Sequence, residues 1–264
     1  MSWWGKVAGG AFGFMFGGPL GALLGAAFGH QFDMGLKRRS EDGNLTERTQ
    51  LAFFTATFAV MGYVAKADGR VSEAEIGQAR RIMAQMRLDD DQTRAAIKLF
   101  NAGKATDFDL GATLDQFRAE CHRRINLVRF FLEIQVMTAM ADGALHERER
   151  VALLDIAERL GFPRALFENL LHVASGFDPS SAAAGGRAAK DVIREAYAVL
   201  GVSAGDDDAT VKRAYRRLMN QHHPDKLVSR GLPEEMIEIA NKKSQEIRKA
   251  YETIRESRKH ERAA

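Results

Sequence analysis

The sequence predicts an all-α chain in three parts: a single membrane-spanning helix, a helical bundle and a C-terminal helical hairpin. Three observations carry that prediction. Apolar residues recur at three- and four-residue spacing through most of the chain, and no stretch alternates with period two, so helices are expected and strands are not. Glycine is segregated, with 10 of the 24 glycines in the first 35 residues. Charge is segregated too: the overall +3 resolves into +3 over residues 1–39, −3 over 40–175 and +3 over 190–264. At 264 residues, 45% hydrophobic and 28% charged, the chain exceeds the needs of one small core and is neither a disordered tail nor a rod. Cys121 is the only cysteine, which excludes an intrachain disulfide and a four-cysteine zinc site and fits a reducing compartment.

The first element is a span over residues 7–32, after a short external N-terminus of residues 1–6. No fixed charge lies between Lys6 and Asp33, and the 26 residues are long enough to cross a hydrocarbon core of roughly 30 Å. Gly9, Gly13, Gly17, Gly21, Gly25 and Gly29 recur at every fourth position and form one stripe on a helix. In water each would cost the helix about 1 kcal/mol. In lipid the stripe lets a second helix approach closely, so a homodimer through these six glycines is expected. Trp3 and Trp4 sit where an interfacial aromatic belt belongs, and Lys37, Arg38 and Arg39 place the following domains in the cytoplasm. A cleaved signal peptide is set aside, because the apolar run is too long and the basic cluster follows it.

The second element, residues 46–175, reads as a helical bundle. TERTQLAFFTATFAVMGYVAKA, SEAEIGQARRIMAQMR and HERERVALLDIAERLG all carry helical periodicity, and Gly161 with Pro163 separates two late helices. ADGRVSEAEI at 67–76 is echoed 74 residues later by ADGALHERER at 141–150. Each copy follows an apolar helix with paired phenylalanines, Phe53–Phe54 and Phe130–Phe131, so two related hairpins are expected to pack together. On this duplicated Ala-Asp-Gly turn the segment resembles the TerB-like family, named for tellurite-resistance proteins. Asp68, Glu75, Asp142 and Glu149 offer hard oxygen atoms of the kind calcium or magnesium takes. Their spacing is not that of an EF-hand loop, and Asp-Gly turns followed by acidic first helical turns are adequately explained by turn geometry and the helix dipole. No metal site and no cofactor are therefore expected. Cys121 and His122 are adjacent, but nothing near them completes a nucleophilic triad.

Residues 176–190, GFDPSSAAAGGRAAK, form a small-residue linker, and residues 191–264 the final element. DVIREAYAVLGV is a short helix that Gly201 ends; Asp206 to Asp208 cap ATVKRAYRRLMNQH, whose apolar face is Val211, Ala214, Tyr215 and Leu218. His223-Pro224-Asp225 follows, and Pro233, Glu234 and Glu235 open a third helix with a seam of Ala240, Ile247, Tyr251 and Ile254. The two long helices form an antiparallel hairpin with the tripeptide at its tip. His223 and Asp225 there supply a donor and a charged acceptor, and Pro224 stiffens the backbone that presents them. Lys212, Arg213, Arg216, Arg217 and Lys226 make a basic face that speeds encounter with an acidic partner.

On AYAVLGV, KRAYRRL, HHPDK and IRKAYE, in that order, residues 191–257 are identified as a J domain. Ser244 departs from the family, which often has phenylalanine at that point of the third helix. The resemblance implies that the partner is a DnaK-type heat-shock ATPase and that docking accelerates its ATP hydrolysis. It also implies that Asp225 and the basic face, with His223 and Pro224, make the contact, while Tyr215 and Leu218 support the helix. Nucleic acid is not expected, since basic charge alone leaves the tripeptide unexplained. No Gly/Phe-rich region follows the J domain, and no repeated CxxC motifs are present to hold unfolded clients.

A spanning N-terminus, a TerB-like middle and a terminal J domain together resemble the membrane-anchored DnaJ-like co-chaperones of Gram-negative bacteria. The expected protein is therefore an inner-membrane co-chaperone, N-terminus periplasmic and domains cytoplasmic, with no catalysis of its own and an unknown client on the middle domain. The rival reading is a metal-responsive stress protein whose acidic turns are the active element and whose J domain is a tether.

Overall fold

The computed structural model describes residues 18–23, 45–67, 69, 71, 73–86, 88–121, 124–141, 143, 145–175 and 189–263. Every regular element among them is helical, as the periodicity predicts.

The sequence LTERTQLAFFTATFAVMGYVA forms α1 (Leu45–Ala65), and it is apolar nearly all round. Such a helix is stable only when surrounded, and Phe53, Ala56, Phe58, Ala59 and Val60 are all fully buried. Thr55 and Thr57 are buried with them, and their hydroxyls donate to the Leu51 and Phe53 carbonyls one turn back, leaving no orphan donor. α2 (Glu73–Gln85), α3 (Asp90–Gly103), α4 (Leu110–Glu120), α5 (Ile125–Ala139), α6 (Glu147–Arg159) and α7 (Arg164–Ser175) complete the bundle. Of these, α3, α4, α5 and α6 pack directly on α1. The approach of α3 is backbone to backbone. A Cβ on Gly62 would lie 1.9 Å from the Phe100 carbonyl oxygen, and one on Gly103 would lie 1.7 Å from that of Ala59.

The duplicated sequence is also a duplicated structure. α1 with α2 corresponds to α5 with α6, and Gly69 and Gly143 turn the chain between them at φ +97° and +94°. The copies pack crosswise, α1 on α6 and α2 on α5. The paired phenylalanines meet at the centre: Phe53 lies 6.3 Å from Phe130 and 6.2 Å from Phe131, which in turn lies 4.6 Å from Phe117.

The C-terminal part consists of α8 (Ala189–Leu200), α9 (Asp208–His222), the short α10 (Pro224–Val228), a 3₁₀ turn at Glu234–Met236 and α11 (Ile237–Ala263). Gly201, at φ +63°, ends α8, and the Asp207 carboxylate caps α9 by accepting the Thr210 N–H at 2.8 Å. Two details differ from the sequence reading. The tripeptide does not sit in a bare loop: Pro224 and Asp225 begin α10, where the fixed φ of proline suits a first helical position. The third-helix seam, moreover, serves two cores. Ile247 and Ile254 join Ala196, Tyr197, Leu200, Val211 and Leu218 in a core of the hairpin's own. Ala240 is instead buried in the core of the middle bundle, together with Leu227, Leu232, Met236 and Ile239.

Residues 18–23 form a helical turn lying on the bundle. Leu20 is buried there, and its N–H donates to Gln116 Oε1 at 2.7 Å. Leu20 and Gly21 lie within the stretch expected to span. The rest of residues 7–32, including Gly9, Gly13, Gly17, Gly25 and Gly29, lies outside the described residues. Among the described residues no helix is long and apolar enough to cross a membrane.

Candidate functional site

The tripeptide stands at one end of the α9–α11 hairpin, and the basic face runs along α9 toward it. The spacing of α9 turns Val211, Ala214 and Leu218 inward, so Lys212, Arg213, Arg216 and Arg217 are left outward and all four are exposed. No ion pair among the described residues engages Lys212, Arg216 or Arg217, so the face keeps its positive potential. Tyr215 is half-buried and stacks on Tyr251 with ring centroids 4.3 Å apart, fixing α9 against α11. His223 caps α10, with its Nδ1 3.9 Å from Asp225 Oδ2. The Asp225 side chain is 89% exposed, and Lys226 beside it donates to Asn220 Oδ1. The structure therefore leaves both the Asp225 carboxylate and the basic helix face exposed. An exposed carboxylate next to unpaired cations can bind a partner through charge-assisted hydrogen bonds.

Beneath that surface lies a residue the sequence reading did not single out. His222 precedes the tripeptide directly and is only 2% exposed. Its Nε2 lies 3.4 Å from Glu133 Oε1 on α5, and Glu133 also accepts from Arg129 Nε at 2.9 Å. Burial pushes the His222 imidazole down to about 4, Glu133 pulls upward, and Lys243 and Arg129 add to the depression. The ring is thus neutral at pH 7. Burial works to raise the Glu133 carboxyl, but His222, Arg129 and Lys243 outweigh it and hold it below the usual carboxylate range. Ser244 fills a place that phenylalanine often takes in J domains, and its Oγ donates to the His222 carbonyl at 2.8 Å. A hydroxyl is needed there because the carbonyl is buried. The departure at Ser244 was the signal that could have pointed to this polar contact.

The four carboxylates weighed as hard-metal ligands divide. Glu75 and Glu149, equivalent in the repeat, are brought together, 4% and 2% exposed. Burial raises the Glu149 carboxyl to about 7, and the hydrogen bond and charge of Glu75 push the same way against the His146 amide. Asp68 and Asp142 lie outside the described residues, and no group of three or more metal-ligating side chains occurs among the described ones. Cys121 is fully buried, and burial pushes its thiol up to about 12, so it is packing and not a nucleophile. His122 lies outside the described residues.

Three family models match the chain in succession. Residues 1–39 match the co-chaperone DjlA transmembrane domain, residues 54–172 the tellurite resistance protein TerB, and residues 195–263 the DnaJ domain. The co-chaperone protein DjlA of Salmonella typhimurium is 44% identical over 268 residues, which cover 98% of this chain and 99% of that one. The protein of the same name from Coxiella burnetii is 44% identical over 271 residues, and that from Escherichia coli K12 is 42% identical over 269; both alignments cover 98% of this chain and 99% of the relative. No solved structure matches.

Proposed function

We propose, from the premise that this chain belongs to the DjlA co-chaperone family, that its terminal J domain recruits a DnaK-type ATPase and accelerates its ATP hydrolysis. The observation that carries this reading is the exposed Asp225 just past the end of a helix that turns Lys212, Arg213, Arg216 and Arg217 outward. That face steers an acidic partner surface into register, and Asp225 and His223 then supply oriented polar contacts. Acceleration follows if those contacts are stronger in the hydrolytic state of the partner than in its resting state.

The match of residues 1–39 to a transmembrane domain supports an anchor. In this reading it lies in the inner membrane, N-terminus periplasmic and J domain cytoplasmic, where DnaK and ATP are found. The six-glycine stripe then pairs two chains, and the TerB-like domain, residues 46–175, holds the client. The chain itself catalyses nothing.

The test is single-turnover ATP hydrolysis by DnaK with the purified full-length chain in vesicles. His223→Gln and Asp225→Asn are each expected to abolish stimulation. Because the Asp225 side chain is 89% exposed, that replacement is expected to move stability by less than about 0.5 kcal/mol. Undiminished stimulation by either folded variant overturns the reading.

A further inference from the structure

The connector from the tripeptide to the last helix is not built for water. Leu227, Leu232 and Met236 are fully buried, and they are buried in the middle bundle, not in the hairpin. Polar groups close the same seam. Gln50 Nε2 donates to the Leu232 carbonyl at 3.4 Å, Gln92 Nε2 to Glu235 Oε1 at 2.9 Å, and Arg124 Nη1 to the Arg230 carbonyl. Gly231, at φ +94°, lies so close to α1 that a Cβ there would sit 2.7 Å from Thr49 Cγ2. The basic face and Asp225 stay exposed, so this contact leaves the docking surface open and secures its base.

Glu133 is the point at which that base meets the tripeptide. A buried carboxylate in a domain seam carries a desolvation cost that an apolar residue would avoid, and it gives direction in return. Here its Oε1 faces the ring of the residue that immediately precedes the tripeptide, while Ser244 holds the same residue's carbonyl. His222, directly before the tripeptide, is thereby contacted at both ring and backbone.

We propose that Glu133 is a positioning residue: acting through His222 across the domain seam, it sets the geometry in which the His-Pro-Asp tripeptide is presented, so that the TerB-like and J domains work as one unit. This rests on the DnaK reading given above. The two domains are then not a client holder loosely tied to a recruiter. A partner that shifts α5 is then felt at the tripeptide through Glu133 and His222.

The experiment uses the full-length chain in vesicles with two readouts: amide hydrogen exchange over residues 222–240, and the plateau and half-saturating concentration of DnaK stimulation. Glu133→Ala is expected to speed exchange in the connector and lower the plateau at least about threefold, with exchange over residues 196–218 unchanged. His222→Gln approaches the contact from the other side and is expected to do the same, which keeps the test alive should the alanine variant fail to fold. The double variant is expected to be no worse than His222→Gln alone, and Glu133→Gln, which keeps an acceptor, to recover most of the plateau. Normal stimulation by folded Glu133→Ala overturns the positioning role, and so does unchanged connector exchange. A wild-type chain that fails to stimulate sinks the DnaK reading instead, while faster exchange in Glu133→Ala still shows the seam itself.

Discussion

The two ends of the J-domain hairpin are held in opposite ways. The end away from the tripeptide is self-sufficient. It has its own core of Ala196, Tyr197, Leu200, Val211, Leu218, Ile247, Ala250 and Ile254. Arg258 bolts its rim, donating to Tyr197 Oη at 2.8 Å, to Asp208 Oδ1 at 2.7 Å and to the Ala204 carbonyl at 3.1 Å. The end that carries the tripeptide has no such core, and its apolar connector is buried in another domain. A small hairpin buries too little surface to order both of its ends, so the second is ordered only by what it leans on. Here that support is the TerB-like bundle, and the functional loop lies on the supported side.

The largest test of this difference is truncation within each core. Met236 and Ile254 are both at most 1% exposed, and replacing either by alanine is expected to cost about 2–5 kcal/mol. The location of the loss separates them. Met236→Ala is expected to lower the unfolding midpoint of the middle bundle and to speed exchange over residues 222–240, leaving 196–218 protected. Ile254→Ala is expected to do the reverse. If Met236→Ala leaves the middle bundle unmoved, the hairpin is autonomous and the contrast fails.

How much of this was readable in the sequence follows from the same contrast. Helix positions, the Gly201 stop, the repeat and the inward face of α9 are local consequences of spacing, and they were legible. The α11 seam was legible as a seam, but a heptad pattern states which side of a helix is apolar, not what covers it. Ala240 and Ile247 stand on one stripe and enter different cores. Glu133 was invisible because a single carboxylate on an apolar helix has no pattern; its meaning depends on His222, 89 residues further on. Glu75 and Glu149 occupy equivalent places in a visible repeat, yet only crosswise packing of the copies makes them neighbours.

Acid separates the two ends next. The buried His222, with Glu133 and Arg129 facing it from α5 and Lys243 from α11, keeps a pKa of about 4 against an ordinary 6.5. A base depressed in this way is protonated first in the open state. Stability is complete above about pH 6.5 and is lost as pH falls toward 4. At roughly 1.4 kcal/mol per pKa unit, the loss at the tripeptide end approaches about 3 kcal/mol. At the far end, hydrogen bonds from Arg258 and Arg262 hold the Asp208 carboxyl below its ordinary range, so it does not titrate in that window. The protection factor for exchange over 222–240, corrected for the intrinsic rate at each pH, is therefore expected to fall between pH 6.5 and 4 while that over 196–218 stays flat. The Glu75–Glu149 pair has the opposite sign. There the raised value of about 7 at Glu149 gives stability that is full below about pH 4.5 and lost as pH rises through 7, and Glu149→Gln is expected to remove that alkaline loss. Equal acid sensitivity at both ends would break the comparison.

The smallest expected effect is the most local. Ser244 is 9% exposed, and its Oγ is the donor that satisfies the buried carbonyl of His222. Ser244→Ala removes the donor and leaves the carbonyl without water or a partner, a loss of about 1 kcal/mol, or somewhat more if the backbone cannot turn outward. Nothing in the far core touches this bond, so Tyr215–Tyr251 stacking and the Arg258 network are expected to be unaffected, and tyrosine fluorescence to stay constant through the substitution. The tripeptide end, in contrast, loses one of the two holds on His222 and falls back on Glu133 alone. Ser244→Ala should then make DnaK stimulation more sensitive to a second change at Glu133 than the wild-type chain is. The coupling between the two substitutions, measured by a double-mutant cycle on stimulation, is expected to be non-zero. Strict additivity would mean that the ring and the carbonyl of His222 are held for separate reasons, and that the tripeptide takes its orientation from α10 alone.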